Sequence, residues 1–170
     1  MPKIIKNLEN RLLEEARRQI DKNGYSGMTM RSVADACGVG VGTVYNYFPS
    51  KDELLANYML SDWQRCISDI NAVSTYSDQA APVLRCIYDQ LLSYAEQHQG
   101  VLRDKAATNG FADTFARFHL LLRQQLAAPL CKFCEDEFAA EFIAESMLCW
   151  SLAGKDFDSI YSVVRKLLKQ

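Results

Sequence analysis

Gly27-Met28-Thr29-Met30-Arg31-Ser32-Val33-Ala34-Asp35-Ala36-Cys37-Gly38-Val39-Gly40-Val41-Gly42-Thr43-Val44-Tyr45-Asn46-Tyr47-Phe48-Pro49-Ser50-Lys51-Asp52-Glu53-Leu54-Leu55 is the stretch that decides the fold. Thr29 is a good N-cap, because its hydroxyl can accept a bond from a free amide of a first helical turn. Gly38 punctuates that helix at a turn, where a positive φ is cheap only for glycine. A second short helix runs from Val41 to about Phe48 and is cut by Pro49. Ser50-Lys51-Asp52-Glu53 then reads as a capping box that opens a long helix. Val33, Ala34, Cys37, Val44 and Phe48 face inward, and small Ala34 lets the two short helices approach. Two short helices about a Gly-containing turn fit a helix-turn-helix, although many helical proteins contain such a pair.

Helical periodicity extends to both sides of this stretch. Ile5, Leu8, Leu12, Ala16 and Ile20 predict a first helix from about residue 3 to Asn23, stopped by Asn23-Gly24, with Gly24–Gly27 as a loop. Leu55, Met59, Trp63, Cys66 and Ile70 share one face of the long fourth helix, which breaks in the polar segment Ser74–Gln79. Pro82 sits in the first turn of the next helix, which ends at Gln99-Gly100. Val101–Asn109 is a short, ambiguous helix. Phe111, Phe115, Phe118, Leu122 and Leu126 define a further helix, apolar on more than one side and so expected to be central. The last two span about Asp136–Ala153 and from the N-cap Asp156 onward. The fold class is all-α, with about nine helices. Its organisation is a helix-turn-helix head over residues 1–50 and a helical body over 51–170.

Composition limits the chemistry. The 170 residues are 49% hydrophobic and 24% charged, with a formal net charge of -2. That is the profile of a globular protein, not of a basic particle drawn to nucleic acid. Residues 1–55 carry eight Lys/Arg against seven Asp/Glu, a net of +1, and the remainder carries -3. One copy should therefore bind a polyanion weakly and with strong salt dependence. No signal peptide and no membrane-length apolar run are read, so the expected compartment is the cytoplasm, with the six cysteines as reduced thiols.

The quoted string strongly resembles the N-terminal domain of the TetR family of bacterial regulators. The resemblance covers roughly residues 5–57, and Gly-Thr-Val-Tyr-x-Tyr-Phe followed by Ser-Lys-x-Glu-Leu carries most of it. It implies a sequence-specific DNA-binding repressor, released from a palindromic operator by a small-molecule effector. By position, Thr29, Thr43, Tyr47 and Lys51 would contact phosphates. Val41, Gly42, Tyr45 and Asn46 would face the major groove, and Arg31 could reach a base. These residue types suit those roles: hydroxyls and a Lys position the protein on phosphates, while an Arg can take both acceptors of a guanine. The chain departs from many relatives at Gly40, where they carry Ser, and at Val41, where they often carry a polar residue.

The resemblance also implies a homodimer through the last two helices. Phe138, Phe142, Ile143, Met147 and Trp150, with Phe157, Ile160, Tyr161, Val164, Leu167 and Leu168, are the candidate contacts. Candidates for an effector pocket are Tyr58, Met59, Trp63, Tyr88, Tyr94, Phe111, Phe115 and His119. For each of them, core packing is the competing reading. The body is shorter than in many relatives, so such a cavity would be small or absent.

No enzyme, cofactor or membrane role is expected. His98 and His119 have no Cys or carboxylate at metal-ligand spacing around them, so no metal ligand is assigned. Cys131-x-x-Cys134 would place two thiols on one helical face and leaves open a redox or metal-responsive sensor. The other alternative is a family member that acts mainly through a protein partner.

Overall fold

The fold is seen in a computed structural model, which describes residues 7–102 and 112–169, the side chains of residues 102 and 112–117 excepted. Nine α-helices lie among the described residues: α1 (Leu8–Gly27), α2 (Met30–Cys37), α3 (Val41–Tyr47), α4 (Lys51–Tyr76), α5 (Ala80–Gln97), α6 (Gln99–Leu102), α7 (Ala112–Ala127), α8 (Glu137–Leu152) and α9 (Phe157–Val164). Two 3-10 turns, Ala128–Phe133 and Arg165–Leu167, follow α7 and α9. The all-α expectation holds. Among the described residues, the one pairing of extended residues is an isolated antiparallel bridge between Cys134 and Leu168. No described helix is long and apolar enough to cross a membrane.

The chain forms two compact units. The first comprises Met1–Ser61 and His98–Thr114, and the second Asp62–Gln97 and Phe115–Gln170. This division falls inside α4 and groups a later segment with the head. Only tertiary contacts reveal that grouping, because α4 itself runs through Ser61 without a sequence break.

In the first unit, Leu8, Leu12, Ala16 and Ile20 of α1 are buried, as their spacing predicts. The stop at Gly24 is present as a break in helical geometry, with φ 72° and ψ 170°. The chain then makes one further turn through Gly27. Ser50 Oγ accepts the Glu53 amide at 3.1 Å and starts α4. In the later segment, His98 is buried and packs on Tyr58 with ring centroids 4.8 Å apart. Burial, then the positive charge of Arg17, push the His98 pKa down to about 4.

The second unit is held by Val83, Leu84, Ile87 and Leu91 of α5 with Ile143, Ala144, Met147 and Leu148 of α8, all buried. Lys132 donates to the Ser74 and Ser77 carbonyl oxygens and so caps the end of α4. Asp136 and Asp156 cap α8 and α9, accepting the Ala139 and Ser159 amides at 2.7 and 2.8 Å. α7 is not central as expected. Leu122 and Leu126 are buried, but Leu120 is exposed.

The apolar stripes of the last two helices divide differently from the sequence expectation. Ile143, Met147, Phe157, Ile160 and Val164 turn into their own unit. Phe138, Phe142, Trp150, Leu152, Val163 and Leu167 remain on the surface. The reason lies in α8, which is apolar almost all round, so periodicity could not say which flank faces α5.

Candidate nucleic-acid interface

The helix-turn-helix is built from local signals. The Thr29 side chain accepts the Ser32 amide at 3.0 Å, and Ser32 Oγ accepts the Thr29 amide at 3.1 Å, closing a capping box at the start of α2. Ser32 Oγ also donates to Gln19 Oε1 at 2.5 Å, which ties α2 to α1. Gly38 ends α2 with φ 69°, and Val39 N–H returns to the Ala34 carbonyl at 3.0 Å. Arg11 anchors the same end by donating to the Cys37 carbonyl at 3.0 Å. Val33, Ala34, Cys37, Val44 and Phe48 are all buried, as the motif requires.

α3 then presents one face outward. Val44 is fully buried, while Val41, Gly42, Tyr45 and Asn46 are exposed, Tyr45 at 49%. Spacings of one, four and five residues keep these four on one side of a 3.6-residue helix. A Cβ built on Gly42 would meet no atom within 4 Å, so nothing in the head itself needs glycine there. Gly40 caps α3 without a side-chain bond, the missing hydroxyl noted from the sequence. Thr29, Arg31 and Tyr47 are exposed and Thr43 is half-buried.

Lys51 also makes contacts within the head. Its ammonium donates to the Tyr25 carbonyl at 2.5 Å and lies 3.9 Å from the Tyr25 ring centroid. The Tyr25 hydroxyl in turn donates to Asp52. The cation is therefore already engaged within the head. Nothing in local spacing links Tyr25 to Lys51, and the sequence reading missed this cluster.

The effector candidates fall in both units. Tyr58 and Met59 are buried in the first unit, while Trp63, Tyr88 and His119 belong to the second. Trp63 packs edge-on against Tyr94 at 5.5 Å and donates its indole N–H to Gln125 at 2.6 Å. Tyr88 donates to the Lys155 carbonyl and packs on Phe157. These polar groups are satisfied inside the unit, as in core packing. The side chains of Phe111 and Phe115 lie outside the described residues.

Two further departures concern sulfur. Cys131 and Cys134 do not share a helical face: they span the end of a 3-10 turn, and Cys134 has extended geometry. Cys131 is exposed, whereas Cys134 is 1% exposed and its thiol pKa is raised, chiefly by burial. Donors that sequence spacing does not place near His119 are brought to it by the fold. His119 Nε2 of α7 meets both Glu145 oxygens at 2.9 and 3.0 Å, and the Cys149 thiol donates to Glu145 at 3.1 Å. Burial, then the hydrogen bond and charge of Glu145, push the Cys149 thiol up to about 11. Glu145 and Cys149 are one turn apart on α8, but His119 is remote in sequence and invisible to a spacing search.

The surface of α8 and α9 carries two open grooves. One, of about 360 Å³, lies between Phe142, Ser146 and Trp150 of α8 and Ile160, Val163 and Val164 of α9. The other, of about 960 Å³, runs from Phe138 and Phe142 to Leu167 and Leu168. They share Phe142, so the exposed apolar side chains form one continuous strip.

A capped helix-turn-helix with an outward-facing second helix, followed by further helices, defines a helix-turn-helix protein. Residues 12–58 match the family described as bacterial regulatory proteins, tetR family. The transcriptional repressor KstR of Rhodococcus jostii is 38% identical over 60 residues, 35% of this chain and 28% of that protein. The transcriptional regulator UidR of Escherichia coli is 31% identical over 58 residues, 34% of this chain and 30% of that protein. The matched segment thus spans less than a third of these curated relatives. Among solved structures, the TetR family repressor AlkX of Dietzia sp. superposes with a TM-score of 0.67 at 15% identity, covering 94% of this chain and 98% of that one. FadR of Thermus thermophilus, a TetR family repressor solved with lauroyl-CoA, gives 0.63 at 17%, covering 94% and 92%. The likeness thus gives a tetR-family segment over residues 12–58 and a fold shared with TetR family repressors over most of the chain.

Proposed function

We propose that this chain is a sequence-specific DNA-binding transcriptional repressor, active as a homodimer in the cytoplasm and released from a palindromic operator by a small-molecule effector. The observation that carries the reading is the outward face of α3. Val41, Gly42, Tyr45 and Asn46 lie exposed together, while Val44 and Phe48 hold the helix on the head. Tyr45 and Asn46 offer hydrogen-bonding groups to base edges, and Val41 an apolar contact for a thymine methyl. Thr29, Thr43 and Tyr47 supply hydroxyls for phosphates, and Arg31 is free to reach a base from α2.

The dimer follows from charge and from the strip on α8 and α9. A head of net +1 holds a polyanion weakly, so two heads on two half-sites are needed for useful affinity. Phe138 is 73% exposed, Trp150 53% and Val163 58%. Covering each such side chain is worth about 1.5–3 kcal/mol at most, and a second copy is the partner the family fold supplies. The effector reading is supported by ligand-bound neighbours such as the lauroyl-CoA complex. An effector can release DNA only by as much as it favours one arrangement of the two heads over the other.

Selection of duplexes from a random pool tests this reading. A palindromic consensus with half-sites about one helical turn apart supports it, and recovery of no enriched sequence overturns it.

A further inference from the structure

We propose that His119 Nε2, a carboxylate oxygen of Glu145 and the sulfur of Cys149 form a three-donor site for a zinc-class divalent cation on the surface of the second unit. The three ligand atoms lie within 4.8 Å of one another. Nε2 and the carboxylate are 2.9 Å apart, and the carboxylate and sulfur 3.1 Å. A tetrahedral ion bound at about 2.0–2.3 Å needs donors separated by about 3–4 Å, so the side chains require only small adjustments.

The donor set selects the ion. One thiolate, one imidazole and one carboxylate suit zinc and its borderline neighbours cobalt and nickel, and suit magnesium or calcium poorly. His119 and Cys149 are exposed and Glu145 half-buried, so an ion can enter from solvent and keep water in a fourth position. That open position resembles the three-ligand arrangement of catalytic more than of structural zinc. The three side chains come from two helices of one unit, with Glu145 and Cys149 one turn apart on α8, so the fold holds them near their binding positions.

Binding is an exchange of a proton for a metal. The Cys149 S–H bond breaks and its proton leaves to solvent, while His119 changes tautomer, its Nε2 proton leaving to solvent as Nδ1 takes one up, so that the sulfur and Nε2 lone pairs take the cation. The hydrogen bonds that Glu145 now accepts from His119 and Cys149 are replaced by one metal–oxygen contact. Two anionic donors then neutralise the divalent charge. That balance matters because the positive charge of Arg123, on α7 one turn beyond His119, already acts on Glu145. A neutral loaded site leaves Arg123 facing no net positive cluster.

The cluster lies beside the apolar strip: Glu145 is one turn from Phe142, and Cys149 adjoins Trp150. Metal binding itself depends on neither the strip nor the head, so the test below stands whatever the chain does with DNA.

Cobalt(II) is the probe, added to the full chain under reducing conditions and followed by absorption. The expected result is one equivalent bound, with tetrahedral ligand-field bands and a thiolate-to-cobalt charge-transfer band, both removed by added zinc. Cys149→Ser should abolish the charge-transfer band. His119→Gln should weaken cobalt by more than about tenfold, the least that loss of even an outer partner costs. Both substitutions are at exposed side chains, and circular dichroism checks that the fold is retained. An undiminished charge-transfer band in Cys149→Ser would assign the metal to another thiol and overturn the proposal. Absence of stoichiometric cobalt binding to the wild-type chain would overturn it equally.

Discussion

The Lys51 ammonium sits 3.9 Å from the centre of the Tyr25 ring and donates to the carbonyl oxygen of the same residue. A lysine that the resemblance assigns to a DNA phosphate is thus also a clamp between the end of α1 and the start of α4. Lys51→Ala should lower head stability by about 1–2 kcal/mol, from the cation–π contact and a charge-assisted hydrogen bond. It should also weaken all duplexes alike and reduce the salt slope of binding by about one phosphate. Denaturation together with binding at several salt concentrations checks both. An unchanged slope would make Lys51 a purely structural residue.

Gly42 separates folding from recognition. A methyl group there meets open space, and alanine favours a helix over glycine by up to about 1 kcal/mol. Gly42→Ala should therefore leave stability unchanged or slightly raised while weakening operator binding, because the added carbon enters the gap left for the groove. Gly38→Ala is the contrast. At φ 69° it should cost about 1–2 kcal/mol of stability. Thermal melts and binding titrations of the two variants read this directly. Tight operator binding by Gly42→Ala would show that α3 does not approach DNA closely.

The head was readable from its sequence because its signals are local. Thr29, Gly38, Pro49 and Ser50 each act within a few residues, and each ends or begins a helix where expected. The break at Gly24 was readable for the same reason, although the chain turns once more before leaving α1. What stayed hidden depends on which residues meet across the fold. The burial of Ile143 and Met147 rather than Phe138 and Trp150 is decided by α5, not by α8's own pattern. The clamp of Lys51 on Tyr25, the meeting of His119 with Glu145 and the packing of His98 on Tyr58 are likewise long-range. Cys131 and Cys134 misled because a three-residue spacing was read as α-helix where the chain forms a 3-10 turn.

His98 should make the protein acid-sensitive. Its folded pKa, about 4, lies below the ordinary value of 6.5. Between those values the unfolded chain binds a proton that the native state refuses, so stability falls as pH falls. The loss starts near pH 6.5, grows down to about pH 4 and then stops. It should amount to about 2 kcal/mol between pH 7 and pH 5. His98→Phe, which keeps a ring against Tyr58, should flatten that part of the profile. Urea midpoints at the two pH values measure it, and an equal loss in the variant would assign the effect to other groups.

The strip on α8 and α9 should hold two copies together. Sedimentation of the wild-type chain at micromolar concentration should give a dimer. Phe138→Glu with Trp150→Glu should give a folded monomer, because both side chains are exposed and leave the core intact. That monomer should bind DNA far more weakly than the dimer, with about half its salt slope. A monomeric wild-type chain would contradict the dimer and, with it, the palindromic operator.

The most direct test of the reading surface is to select duplexes from one random pool with the wild-type chain and with Tyr45→Ala in parallel. Tyr45 is half exposed on the outward face of α3, so its loss should leave the fold and the phosphate contacts in place. The wild-type chain should enrich a palindromic sequence, and the variant should lose preference at symmetric positions while keeping much of its general affinity for DNA. The same consensus at the same strength from both chains would contradict the assignment of α3 as the helix that reads the groove.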